Sequence, residues 1–373
     1  MQLTALTAVK SRIRVGAQLP FNVRDADRTL LLARGQQIDS AAQLEALFER
    51  GALVDLTELL SAREQILQAP REAMPRLWTA CIQRVHHALV HLPRHGMQGM
   101  LDDASVPVIA LIERDPDLAI FQVLRQDARA DVAYGVRRSV SAAICAVLVA
   151  QRLGWSAGEI AKAFKVALTM NLSMLELQGE LARQPHPPTP AQQEALRTHP
   201  LRSAEMLELA GIADRDWLQG VARHHEREDG SGYPTGCNEP GDLASLARRA
   251  DVYTGKLASR THREALAADQ AGRQMFMEDP GHPMTAALVK EFGIYPPGCF
   301  VRLASGEVAI VVGRGASITT PLVACLTSPS GAPIVPGERR ATSRPEHAVV
   351  AIVGATEVGI GLPPDKLLQL AGA

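Results

Sequence analysis

The spacing of apolar and polar positions changes character twice along the chain. In "FNVRDADRTLLLARGQQI" (Phe21–Ile38) a polar Asp25–Arg28 turn separates two apolar stretches, which predicts two paired strands. "DSAAQLEALFERG" then takes a helical period, with Asp39 as the expected N-cap and Gly51 as the stop. Residues 1–61 therefore read as a small α/β module, an appendage that stabilises or dimerises the protein, because site chemistry is absent from it. From 62 to 290 the pattern is helical. Asp115 with Pro116 opens one helix, Gly154 closes another, and Thr189, Pro190 and Gln192 form a capping-box start after a Pro-rich loop. That stretch predicts one all-α domain of seven or more helices. After Tyr295–Cys299 the texture becomes β-rich: "CFVRLASGEVAIVVG" places two strands around a Ser305-Gly306 turn, and "LVACLTSP" and "HAVVAIVG" add more. Residues 291–373 are expected to form a small, barrel-like β domain with a short helix near "PPDKLLQLA". The fold class is mainly α.

The most apolar segment, "AAICAVLVA" (Ala142–Ala150), is about half the roughly 20 residues that span a bilayer, so it predicts a buried core helix. The first residues lack the apolar core of a secretory signal. A formal net charge of −1 over 373 residues leaves no basic footprint for nucleic acid. The five cysteines lack paired spacing, which fits a reduced compartment better than a disulfide framework or a zinc knuckle. A cytoplasmic protein without membrane or nucleic-acid partners is the expectation.

Candidate chemistry lies in the helical region. His199, the adjacent His224 and His225, and Asp251 are imidazole and carboxylate groups of the kind that hold zinc, iron or manganese. The stretch "HHEREDGSGYP", with "HP" upstream and "RRADVYTGKLASRTHRE" downstream, resembles the HD-GYP family of cyclic di-GMP phosphodiesterases over about Tyr134 to Ala268. The resemblance implies a helical HD-domain bundle, with Gly232, Tyr233 and Pro234 on a loop at the mouth of the site and Arg260 and Arg263 facing ligand phosphates. It also implies a centre of two or three metals that activates water against a phosphodiester.

The chain departs from that pattern at the defining pair. In the register "KVALTMNLSMLEL" the family histidine falls on Met170, its aspartate on Asn171, its glycine on Ser173 and its lysine on Met174, while Arg138 stands where an upstream histidine ligand belongs. A thioether, a neutral amide and a fixed guanidinium are poor replacements. A degenerate, inactive member is therefore expected, with no catalytic residues and no resident cofactor, and with Arg138 paired to Asp251 in the former metal pocket. It would act as a signalling adaptor, binding a GGDEF-domain partner through the Gly-Tyr-Pro loop. The alternative is a cyclic di-GMP sensor using Tyr233, Arg260 and Arg263, or a weak phosphodiesterase with one zinc, iron or manganese ion on His199, His224, His225 and Asp251. Oligomeric state is left open. A second histidine group, His86, His87, His91 and His95, has no carboxylate at useful spacing and reads as solvated surface, and "GRGAS" (Gly313–Ser317) reads as a turn because no helix follows it.

Overall fold

A computed structural model describes residues 3–91, 96–125, 133–261, 263–334, 337–354, 357–358 and 364–372. The chain divides into two compact units, Met1–Ala69 and Pro70–Ala373.

In the first unit, β1 (Leu3–Ala5), β2 (Val23–Arg24), β3 (Leu30–Leu32) and β4 (Leu53–Asp55) form an antiparallel sheet in the order β1-β4-β2-β3, with helices α1 (Ala41–Glu49) and α2 (Ala62–Gln68). Phe21, Val23, Ile38 and Val54 are at most 1% exposed and fill its core. The N-cap of α1 is Ser40 rather than Asp39. The Ser40 hydroxyl accepts the Gln43 N–H, while Gln43 Oε1 accepts the Asp39 N–H, so the reciprocal cap sits one residue later. The unit runs to Ala69 rather than 61, because α2, opened by a Ser61–Glu64 capping box, belongs to it.

The second unit joins the helices and the C-terminal strands in one body. Its helices are α3 (Met74–Val90), α4 (Met97–Arg114), α5 (Pro116–Leu124), α6 (Tyr134–Arg152), α7 (Ala157–Thr169), α8 (Leu175–Arg183), α9 (Pro190–Leu209), α10 (Arg215–Ala222), α11 (Asp242–Lys256), α12 (Ala268–Glu278) and α13 (Pro283–Phe292). The Asp115 and Thr189 caps form as the sequence predicts. Helix α6 is central. Every residue from Ala142 to Ala150 is at most 2% exposed, because the helix is apolar on all sides and packs against α5, α7, α8, α11 and α13. No helix among the described residues is long and apolar enough to cross a membrane.

Strands β5 (Phe300–Leu303), β6 (Val308–Gly313), β7 (Leu322–Cys325), β8 (Arg339–Ala341) and β9 (Val349–Val353) make an antiparallel sheet in the order β8-β7-β6-β5-β9. Among the described residues β8 and β9 remain unpaired edges, so the sheet is open and not the expected barrel. Helix α14 (Pro364–Gly372) and α5 contact β6, whose six residues are all buried. The strand is covered on both faces, which is why its pattern is a continuous apolar run. Arg314, just past β6, donates to Asp117 at the start of α5 and to Glu291 on α13.

Candidate functional site

Local chain chemistry sets the orientation of two histidines. In α9 the N–H of residue 200 would ordinarily bond to Leu196 O, but Pro200 has no N–H. The freed Leu196 carbonyl instead accepts His199 Nδ1–H at 2.7 Å. At the C-terminus of α10 the Val221 carbonyl lies in the last turn, where helical partners run out, and it accepts His224 Nδ1–H at 2.6 Å. A carbonyl can only accept, so both Nδ1 atoms carry protons and both Nε2 atoms carry lone pairs. These Nε2 atoms face each other at 3.0 Å. Burial, with the neighbouring imidazole second, holds His199 and His224 at a pKa of about 3. Burial, then His199 and Arg248, does the same to His225. All three are neutral at pH 7, and their ligand atoms lie within 4.8 Å of one another. Opposed lone pairs repel, and a shared proton or a bound cation relieves them. Three such nitrogens fit one borderline divalent ion, with water completing a tetrahedron.

The Gly-Tyr-Pro loop is braced from within. Glu226 is fully buried, and its carboxylate accepts the Thr235 N–H and hydroxyl, both at 2.7 Å, and the Cys237 N–H at 3.1 Å. A Cβ at Gly232 would lie 2.5 Å from backbone atoms of Arg227 and Glu226, so no larger residue fits there. Tyr233 stacks on His225 with ring centroids 4.5 Å apart. Glu228 follows the histidines and ties the loop to α11. Burial pushes its pKa up, but hydrogen bonds led by that from Arg249 outweigh this and bring it down to about 2. Arg249, 1% exposed, bonds in turn to Asp279 and Thr285.

Beside the histidines, Arg138 on α6 donates to Asp251 Oδ1 at 2.9 Å and to the Asp251 carbonyl at 3.2 Å, the ion pair expected from the sequence. Gly255 makes room for it: a Cβ there would lie 3.1 Å from the guanidinium. Asn171 Nδ2 sits 3.5 Å from the same carboxylate oxygen, and among the described residues Asn171 Oδ1 has no partner. Met170 is fully buried. Ser173 bonds to Ser203 and to the His199 carbonyl. A cavity of about 350 Å³ opens here, lined by Arg138, Asp251, His199, His225, Tyr233, Met174 and Arg260 among others.

The structure thus gathers His199, His224, His225, Arg138, Asn171, Asp251, Tyr233 and Arg260. Arg263 goes elsewhere. Its guanidinium donates to the Gly255 and Ala258 carbonyls, at and just past the end of α11, instead of facing the cavity. His87 and His91 stack on each other at 4.5 Å on α3 and its C-cap, and His95 lies outside the described residues. The sequence reading missed the Glu226 brace, the Pro200 effect, and Tyr134 and Gln178 in the cavity wall. Glu226 had one available signal, a carboxylate directly after the histidine pair, the first of three before the turn.

Fold and site define a mainly helical protein with an imidazole-lined pocket under a braced loop. No family model matches the chain. Similar curated proteins are the cyclic di-GMP phosphodiesterase PA4108 of Pseudomonas aeruginosa, 31% identical over 49% of this chain and 46% of that protein, and the cyclic di-GMP phosphodiesterase response regulator RpfG of Xanthomonas campestris, 32% identical over 33% of this chain and 34% of that protein. The 3'3'-cGAMP-specific phosphodiesterase 3 of Vibrio cholerae is 28% identical over 69% of this chain and 54% of that protein. The chain spans about half or less of the length of these relatives. Bd1817, an HD-GYP-type protein of Bdellovibrio bacteriovorus, aligns over 77% of this chain and 98% of that one at 15% identity, with a TM-score of 0.49. The curated matches accord with the resemblance to the HD-GYP family that the order of His199, His224–His225, Gly232–Pro234 and Asp251 carries.

Proposed function

We propose that this protein works in cyclic di-GMP signalling as a degenerate HD-GYP protein that has lost phosphodiesterase turnover and acts as an adaptor through its Gly-Tyr-Pro loop. The observation that carries this reading is the Arg138 guanidinium seated on Asp251 at 2.9 Å. A permanent cation holds the carboxylate that a second metal would need, and the neighbouring positions offer the Met170 thioether and the Asn171 amide in place of hard anionic ligands. Three imidazoles without a bridging carboxylate hold at most one ion, and a two-ion clamp on a phosphodiester is then out of reach. The loop, by contrast, is kept in one shape by Glu226, Gly232 and Glu228, which supports a role as a recognition surface. Its proposed partner is a GGDEF-domain protein.

Purified protein is incubated with cyclic di-GMP and manganese or ferrous iron. No turnover above background is expected, and turnover abolished by His225→Ala would overturn the reading. Capture of a GGDEF domain, weakened at least tenfold by Tyr233→Ala, is the matching positive result.

The facing Nε2 atoms of His199 and His224 favour one alternative, a sensor or feeble hydrolase with a single ion on His199, His224 and His225. Such an ion would supply Lewis acidity and a more acidic bound water. The chain's own part is to fix both tautomers through Leu196 and Val221.

A further inference from the structure

One carboxylate of the Gly-Tyr-Pro loop is held from outside the loop. Glu228 Oε1 accepts the Ser245 hydroxyl at 2.8 Å and Arg249 Nη1–H at 2.9 Å, and Glu228 Oε2 accepts Arg248 Nη2–H at 3.1 Å. The neighbouring Asp229 bonds among the described residues to Arg227 and Ser231, both within the loop, and so ties it to nothing else. Arg249 carries the Glu228 contact onward. Its Nε donates to Asp279 Oδ2 at 2.9 Å and to Thr285 Oγ1 at 3.1 Å, and its Nη2 reaches the same aspartate. The Thr285 hydroxyl donates to Asp279 Oδ2 at 2.9 Å. Asp279 is the C-cap of α12 and Thr285 lies in the first turn of α13, so one guanidinium joins the loop to the α12–α13 turn. His282 of that turn accepts the Met284 N–H on Nδ1 and turns Nε2 towards Glu228 Oε1, 3.7 Å away.

The energetics of this cluster favour geometry over stability. Arg248 and Arg249 are both buried, and adjacent guanidinium groups repel. Burial, with the charge of Arg249 next, lowers the pKa of Arg248. Buried ion pairs lose in desolvation much of what they gain in attraction, and well-packed apolar side chains of the same volume often do as well. Such a cluster therefore adds little net stability. What it adds is direction. A planar guanidinium fork fits few arrangements of its acceptors, whereas an ammonium on a flexible stem fits many. In Arg249 all three nitrogens are engaged, on partners from the loop, α11, the end of α12 and α13.

We infer that Arg249 is the positioning residue of the Gly-Tyr-Pro loop, fixing the base of the loop against the α12–α13 turn through Glu228 and Asp279. This rests on the reading of the loop as the recognition surface. Arg249 itself, 1% exposed, touches no partner. Glu226 shapes the loop from within, and Arg249 sets where the shaped loop stands, so that a partner meets it without the cost of ordering it.

The chain carries its own probe. Cys237 lies half-buried in the loop, whereas Cys81, Cys145, Cys299 and Cys325 are buried, and burial raises the pKa of all four. The thiolate is the reactive form, so these four report unfolding while Cys237 reports the loop. The test is iodoacetamide labelling of the native full chain, read by mass spectrometry. Arg249→Lys keeps the cation and loses the fork. It should label Cys237 about tenfold faster, the loss of a charge-assisted hydrogen bond, with the other four cysteines as slow as in the parent. Asp279→Asn, at a residue that bonds to no loop residue among those described, should do the same. Adding Glu228→Gln to it should speed labelling little further, because both changes break one tie. Parent-like Cys237 rates in Arg249→Lys and Asp279→Asn, rates that multiply in the double variant, or labelling of all five cysteines together in Asp279→Asn would each overturn the inference. Should Arg249→Lys fail to fold, Asp279→Asn and the double variant decide. Capture of a GGDEF domain is measured separately. Its absence sinks the adaptor reading, whereas unchanged Cys237 labelling sinks only the positioning role.

Discussion

Replacing Arg138 by methionine removes the internal cation while keeping much of its apolar stem volume. The structure sets the scale of the response. Opposite charges about 4 Å apart at an effective dielectric near 20 attract by about 4 kcal/mol, and desolvation returns part of that. Both side chains are largely buried, at 8% and 15% exposure. Breaking a buried pair from one side costs roughly 3–5 kcal/mol. Asp251 borders the cavity, where water can reach it, so the lower end applies, about 3 kcal/mol for Arg138→Met. Asp251→Asn should cost a similar amount, since it leaves a buried guanidinium with neutral acceptors alone among the described residues, the new amide oxygen, the residue-251 carbonyl and the Thr254 hydroxyl, in place of a carboxylate. The double variant should cost less than the two single costs added, by about 2 kcal/mol. Tryptophan fluorescence in urea is the assay. Trp78, Trp155 and Trp217 all lie in Pro70–Ala373, so the signal reports on that unit alone and avoids the multi-unit problem. Costs that add within about 0.5 kcal/mol would show that the pair is a bystander.

Acid should loosen the same unit. His199, His224 and His225 sit at about 3 when folded against about 6.5 when unfolded, so the unfolded state binds more protons below 6.5 and stability falls as pH drops from there towards 3. Between pH 7.5 and 5.5 each histidine contributes about 1.4 kcal/mol. The three together come to about 4 kcal/mol, read as a falling urea midpoint that is flatter in His224→Asn; equal slopes would refute a neutral cluster. Gly255→Ala should gain about 1 kcal/mol of helix propensity yet show no net gain, because its Cβ would press on Arg138 at 3.1 Å; the gain should appear only in Arg138→Met, and a gain in both backgrounds refutes the contact. Arg138→His with Met170→His and Asn171→Asp should raise bound divalent metal by elemental analysis, since the change removes a cation and adds a carboxylate. Unchanged metal in the folded triple variant would mean that the pocket geometry no longer admits it.

Much of the fold was legible because the signals were local. The Asp115 and Thr189 caps are short-range chemistry, and the all-round apolar run Ala142–Ala150 has only one stable home, the centre of a helical unit. What was not legible depended on distant partners. Alternation predicts strands but cannot say whether β8 meets β9, and it does not, so the barrel opens into a sheet. A helical period marks α2 without saying which core its Ile66 enters. Arg263 resembles a ligand residue in sequence, yet open carbonyls near the end of α11 claim it first.

The site was legible as a set of residue types and hidden as a set of orientations. Sequence spacing proposes His199 and His224, but only Leu196 and Val221 decide that both lone pairs turn inward. That orientation suits a cation, while Arg138 a short distance away is itself a cation. The conflict is smaller than it looks, because Arg138 and Asp251 form a close pair whose net charge is zero, and a dipole repels an incoming ion far less than a bare guanidinium would. On the proposed reading, the arginine takes the place of the second metal without closing the seat of the first. Metal content measured on the parent protein then separates the two outcomes: close to one equivalent, lost in His224→Asn, if the imidazoles bind a cation, or none if the neutral cluster stays empty.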